Sequence, residues 1–247
     1  MVPVRGLRNR SRGSPRVAVA SDQRLVVESV AAALRDRSLD TVVVRWPDAG
    51  ATMRAERRGP RATRRRATPA PDAGLVLTDL LRMDQVRAAR VLVGSLDVPW
   101  LVLTMAPRGP AWGAMYDRGA TLVLPSGIGL DAASELIADL ATGWLPDLSR
   151  RERKQLVHSW RTFESERTEM AARLETLSDR EEEVLQQLHE GVGVRAIAEQ
   201  SEVAETTVRS QVKSILRKLD VSSQMAAVLA YKELVTDSID PDLHQVG

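Results

Sequence analysis

Residues 177–222 read LSDREEEVLQQLHEGVGVRAIAEQSEVAETTVRSQVKSILRKLDVS. The tetrad Ser178-Asp-Arg-Glu181 has the form of a capping box, in which a serine and a glutamate three residues later satisfy each other's backbone N–H groups. It starts a helix with Val184, Leu185 and Leu188 on one face. Gly191 ends that helix, because a residue without Cβ enters the left-handed region freely. Helical patterns follow over Val194–Gln200, Ala204–Leu219 and Ser223–Val235. Short helices joined by tight turns predict a small all-α domain over 178–247.

A helix, a short turn and a second helix with a basic outer face is the helix-turn-helix plan. Ile197 and Ala198, with Val203, Val208, Val212 and Ile215, are expected to lock the pair together. Thr206, Thr207, Arg209, Ser210 and Lys213 are then left to face a major groove. The plainer alternative is a helical bundle with a solvated basic face. Leu177–Leu185, Ile197-Ala-Glu199, Thr207-Val-Arg209, Val212 and Ile215–Ser222 stand in the register of the LuxR/FixJ (NarL-type) regulators, and the stretch from about Leu177 to Leu234 resembles that family. The resemblance implies that Arg209, Ser210 and Lys213 meet base edges and that Thr206 and Thr207 grip phosphates. Arg217 and Lys218 would add backbone contacts. It also implies a promoter operator in double-stranded DNA, a homodimer and contact with RNA polymerase.

Upstream, Leu156, Trp160, Phe163, Arg167, Met170, Leu174 and Leu177 are spaced 4, 3, 4, 3, 4, 3. That is a heptad seam on a linker helix over 149–177, with Arg167 its charged member. Pairing with a second copy is the first expectation, so Leu156, Trp160, Phe163, Met170, Leu174 and Leu177 are candidate dimerisation residues. Packing back onto the chain's own sheet is the alternative.

The part before this helix alternates short apolar runs with amphipathic stretches. Buried strands are expected at Val17–Ala20, Thr41–Val44, Leu75–Thr78, Trp100–Leu103 and Thr121–Leu124. A helix with Leu25, Val26, Val30, Ala33 and Leu34 inward follows the first strand. Further helices are expected at Arg82–Arg90, Pro110–Arg118 and Leu130–Leu140. The fold class is therefore α/β, a doubly wound parallel five-stranded, flavodoxin-like domain over 16–145. A basic tail over 1–15 precedes it. Residues 47–71 hold prolines and an arginine run without an apolar period, and read as a disordered insertion. A solvated loop is the plain account of it, and an auxiliary phosphate or acidic-partner contact is the sharper one.

Arg16–Val26 and Leu75–Asp79 resemble the first and third strands of a two-component receiver domain. On that resemblance Asp79 stands at the phosphoacceptor position, Thr104 at the hydroxyl position and Asp22 at one of the paired acidic positions. The departures are Ser21 in place of the other acid, Pro125 in place of the lysine and Leu122 in place of the switch aromatic. Phosphoryl transfer to a carboxylate depends on cation and lysine neutralising charge. Their loss predicts an atypical receiver without ordinary phosphorylation. The conventional alternative keeps a histidine kinase acting on Asp79.

Composition excludes several other classes. Cysteine is absent, so disulfides, thiolate chemistry and Cys-ligated metals are ruled out. His158, His189 and His244 share no helical spacing for a metal site, and no metal or cofactor is expected. No apolar run has the length of a membrane span, and no apolar segment of signal type follows the N-terminal arginines, so a cytoplasmic protein is expected. Gly127-Ile-Gly129 lacks the third glycine of a dinucleotide loop, and no nucleophile–base pair stands out; an enzyme is not expected.

The formal net charge of +2 is unevenly spread. From Ser178 onward there are seven basic and thirteen acidic residues, a net of −6 that leaves +8 for the rest. Local position must therefore carry any nucleic-acid argument. The net acidity of the C-terminal part favours a third reading, an interaction protein that titrates a DNA-binding partner.

Overall fold

The computed structural model describes residues 14–48, 70–144, 149–237 and 239. The tail expected at 1–15 and the insertion expected at 47–71 lie almost wholly outside the described residues. Two compact units divide the chain: one comprises the residues up to Leu80, Gln85–Ala106 and Met115–Arg150, the other Leu81–Asp84, Pro107–Ala114 and everything from Arg151.

The first unit is built on a sheet of β1 (Arg16–Ser21), β2 (Asp40–Val43), β3 (Ala73–Leu77), β4 (Trp100–Thr104) and β5 (Leu122–Pro125). All neighbouring strands are parallel, in the order β2-β1-β3-β4-β5. Its helices are α1 (Arg24–Asp36), α4 (Leu130–Ala141) and α2 (Met83–Val93) from Gln85 onward; α3 (Pro110–Arg118) belongs to the second unit up to Ala114. The doubly wound expectation therefore holds, and β1, β3 and β4 are buried runs as a covered parallel sheet requires.

Val17, Val19, Leu75, Leu101, Leu103 and Leu122 meet Val27 and Leu34 of α1 and Ala133, Ile137 and Leu140 of α4 in one core. Alternate residues, among them Ala18, Val76, Trp100 and Val102, are buried on the opposite face. There the Trp100 ring occupies the space a Cβ on Gly74 would need, so the large and the small residue on adjacent strands are matched.

Two expectations in this unit are corrected. β2 was expected as a buried strand, but none of its residues is buried, because it is the outermost strand and has a neighbour on one side only. The inward face of α1 is Val27, Ala31 and Leu34, whereas Leu25 is 79% exposed. Leu25 sits two residues before Val27, and residues two apart on a helix do not share a face, so it points away from the buried side.

The second unit holds α5 (Arg150–Leu174), α6 (Asp179–His189), α7 (Val194–Gln200), α8 (Glu205–Leu219) and α9 (Gln224–Val235). Its core joins Val184, Leu185, Leu188, Ile197, Ala198, Val208, Ile215, Leu219 and Ala227. The capping box forms as expected: the Ser178 hydroxyl accepts from the Glu181 N–H, and the Ser178 N–H donates to Glu181 Oε2 at 2.8 Å.

The heptad seam of α5 is covered in part by the chain's own residues. Trp160 and Phe163 are buried, with ring centroids 5.9 Å apart. Gly113 of α3 lies so close to α5 that a Cβ there would overlap the Leu156 carbonyl and crowd Trp160. Arg167 donates to the Glu233 carbonyl at 3.0 Å and to Asp237 Oδ1 at 2.6 Å. Met170, Leu174 and Leu177 pack on the helical core, and α5 itself ends at Leu174. Trp160 and Phe163 are therefore not a free stripe waiting for a second copy, whereas Leu156, Met170, Leu174 and Leu177 remain partly exposed. A heptad pattern reports only that one helix face is apolar; the identity of what covers it lies outside the pattern.

Candidate nucleic-acid interface

α7 and α8 are joined by a tight turn at Ser201–Ala204. The Val203 N–H donates to the Ala198 carbonyl at 3.1 Å, and Glu202 takes a positive φ of 52° to let the chain reverse. Ile197, Ala198, Val208 and Ile215 lock the pair as expected, with Val212 partly buried. Val203 is corrected from a locking residue to an exposed one: it belongs to the turn and lies outside the helical core.

The outward face of α8 gathers Thr206, Thr207, Arg209, Ser210 and Lys213, all exposed, and Arg217 lies further along the helix. Arg209 is held in place by Glu205, one turn earlier, which accepts from its Nε at 3.0 Å and its Nη2 at 2.5 Å. At the start of α8 no side chain caps the helix; the Thr207 N–H donates to the Ala204 carbonyl at 2.9 Å, and the N–H groups of Glu205 and Thr206 lack a side-chain cap. Lys218 differs from its neighbours. Its ammonium donates to Glu181 Oε2 at 2.6 Å and to the Thr176 carbonyl at 2.9 Å, so one donor ties α8 to α6 and a second ties it to the segment between α5 and α6.

The sequence marks Glu181 only as a cap residue, yet its carboxyl is held well below the ordinary value. Burial by itself raises its carboxyl. Hydrogen bonds from Lys218, the Ser178 backbone, Ser214 and the Ser178 hydroxyl outweigh that and hold it at about 2. Only the lysine–glutamate charge complementarity is legible in sequence; a separation of 37 positions hides the contact.

In the first unit the receiver-site remnants come together at the C-terminal ends of β1, β3 and β4. Asp22 Oδ2 accepts from the Gln85 amide at 2.7 Å and from the Thr78 hydroxyl at 3.4 Å. Ser21 is buried and its hydroxyl accepts the Gln23 N–H at 3.1 Å. The Thr104 hydroxyl donates to the Asp79 carbonyl at 2.7 Å and accepts the Ala106 N–H at 3.1 Å. The Asp79 carboxylate takes part in no hydrogen bond or ion pair among the described residues.

Leu80, next to Asp79, is fully buried with φ 53°, a strained conformation for a branched side chain. Gln85 and Thr78 are the residues sequence reasoning missed. Thr78 falls on the opposite side of the strand from Asp79 by alternation, and Gln85 reaches the site only through the course of α2.

Among the described residues no group of three His, Asp or Glu side chains is placed to hold a metal ion, and no helix is long and apolar enough to cross a membrane.

Residues 175–231 match the family model for bacterial regulatory proteins of the luxR family. A nitrate/nitrite response regulator protein homolog of Haemophilus influenzae is 30% identical over 138 residues, covering 56% of this chain and 62% of that protein. The match thus spans less than two thirds of the curated relative's length. Among solved structures, the response regulator ChrA of a heme-sensing two-component system is 20% identical, covering 91% of this chain and 100% of that one with a TM-score of 0.39. RcsB of Salmonella enterica serovar Typhimurium, bound to promoter P1flhDC with the phosphomimetic BeF3−, is also 20% identical, with coverage of 91% and 100% and a TM-score of 0.38.

Proposed function

We propose that this chain, which carries a luxR-family segment at residues 175–231, is a sequence-specific DNA-binding transcription regulator whose receiver-like domain works without phosphorylation of Asp79. The observation that supports DNA binding is the outward row on α8. Arg209 and Lys213 lie one turn apart on an exposed face, with Ser210 between them. A helix laid in the major groove by its N-terminal half would bring both cations to base edges, where guanine offers paired acceptors. The uncapped N-terminal turn of α8, with the exposed Thr206 and Thr207, suits a phosphate there, and Arg217 suits a later one.

Independence from phosphorylation is supported by the acidic pocket. Asp22, the remaining acid after β1, is satisfied by Gln85 and Thr78, both uncharged donors. An amide neutralises nothing, so a phosphoryl group arriving at Asp79 would meet neither the lysine, replaced by Pro125, nor a strongly held divalent cation. One observation favours the conventional alternative: the Asp79 carboxylate is unengaged and so open to modification.

Recognition of paired half-sites would call for a homodimer. With Trp160 and Phe163 buried within the chain, a second copy would meet α5 at the partly exposed Leu156, Met170, Leu174 and Leu177 or bind another surface.

The test is a selection of binding sequences from random duplexes with purified full-length protein, run with and without acetyl phosphate and magnesium. One enriched motif, unchanged by the phosphoryl donor, is the expected result. Failure to enrich any motif sinks DNA recognition, and a motif that emerges only with the donor sinks phosphorylation independence.

A further inference from the structure

We propose that the cleft between α5 and α9 is a small-molecule site for an amphipathic organic cation, an amine or quaternary ammonium carried on an aromatic or branched alkyl body. The cleft encloses about 410 Å³, which falls within the range of small-molecule pockets. Its apolar wall is made by Phe163 and Met170 of α5 and by Met225 and Leu229 of α9. Methionine side chains adapt to varied apolar shapes, and Phe163, itself buried, adds an aromatic edge to the lining. Met225 is 67% exposed, so the wall is reachable from solvent.

The polar part of the lining decides the sign of the ligand. Glu166 and Glu233 contribute two carboxylates, and the cation in the cleft is Arg167. Arg167 is already compensated, because its guanidinium is paired with Asp237 and donates to the Glu233 carbonyl. The lining charge left for a ligand is therefore the Glu166 carboxylate. Glu166 is exposed and takes part in no hydrogen bond or ion pair among the described residues, so its carboxylate is available to an entering ammonium. An organic anion of the same shape would bring like charges together in a partly desolvated cleft. An occupant would touch α5 and α9 at once and fix their spacing within this unit. The inference does not depend on DNA binding.

Calorimetric titration of the full-length protein with 1-naphthylmethylammonium, 1-naphthylacetate and neutral 1-naphthylmethanol tests it. The ammonium is expected to bind about tenfold or more tightly than either relative, the difference of one close charge pair near a protein surface. Glu166→Gln should remove most of that preference, and Glu166→Lys should invert it in favour of the carboxylate. Glu166 is exposed, so both variants should keep the parent's melting temperature. Absence of saturable ammonium binding, equal affinity for the three probes, or a preference unchanged in either variant overturns the assignment.

Discussion

The ammonium of Lys218, in the last turn of α8, lies 2.6 Å from the carboxylate of Glu181 at the N3 position of α6. The same carboxylate oxygen accepts the Ser178 N–H at 2.8 Å and the Ser178 hydroxyl at 3.0 Å. One buried acid thus closes a helix cap and fastens the proposed recognition helix to its support. The basic tail of α8 is shared between structure and surface: Lys218 is committed inward, and Arg217 remains outward.

This junction makes stability depend on acid. Glu181 sits at about 2 in the folded chain against an ordinary value of 4.5. Its contribution is therefore complete above the ordinary value and is lost as pH falls from there toward the folded value. Urea midpoints measured from neutral pH downward should fall more steeply in the parent than in Glu181→Gln. Lys218→Ala should cost about 1–3 kcal/mol, because it strands a buried carboxylate. Parallel pH profiles for parent and Glu181→Gln would refute this.

Glu202 holds the α7–α8 turn with φ 52°. Glycine adopts that region without the Cβ penalty, but it also loosens the unfolded chain. Glu202→Gly should gain about 0.5–1 kcal/mol net, seen as a higher melting temperature. A lower one would mean that the Glu202 side chain contributes more than its backbone costs.

On the proposed DNA face, Lys213→Ala and Arg209→Ala should each cost about 1–3 kcal/mol of specific affinity and broaden the selected motif. Arg217→Ala should weaken all duplexes evenly and lower the salt slope by about 1. Mobility-shift titrations at several salt concentrations separate the two behaviours. Identical behaviour of all three variants would remove the assignment of Arg209 and Lys213 to base reading.

Incubation with acetyl phosphate and magnesium should add no phosphoryl mass to the intact protein, and Asp79→Asn should bind DNA as the parent does. Gln85→Glu sets a second carboxylate against Asp22, so it should destabilise the fold at neutral pH. Millimolar magnesium should then restore part of the loss, because two facing acids make a cation favourable. Modification of the parent at Asp79 in the mass spectrum would establish the conventional alternative instead.

Trp160→Ala should unfold rather than dissociate. Trp160 is fully buried within one chain, so the variant should lose about 3–5 kcal/mol. Gly113→Ala should also destabilise, by overpacking against Leu156. Chemical denaturation at two protein concentrations distinguishes this from a dimer seam, whose loss would depend on concentration.

Period and local chemistry alone determined much of this protein. The alternation of apolar runs and helical stretches specified five parallel strands, since a strand buried on both faces has to be apolar throughout. Ser178 and Glu181 marked a helix start because a cap is a contact between residues three apart. The outward polar row of α8 was equally readable, since one helix turn sets which residues share a face.

What lay beyond the sequence was everything that depends on which surfaces meet. The seam of α5 announced an apolar face, and only the folded chain covered it in part with Gly113, the Arg167–Asp237 pair and the helical core. β2 looked buried until its place at the edge of the sheet left it with one neighbour. The partners of Asp22 came from 56 and 63 residues away, a distance at which no spacing rule operates. Local periodicity is dictated by backbone geometry, whereas pairing across the chain is decided by the competition of every surface for burial, and that competition is resolved only when the tertiary structure forms.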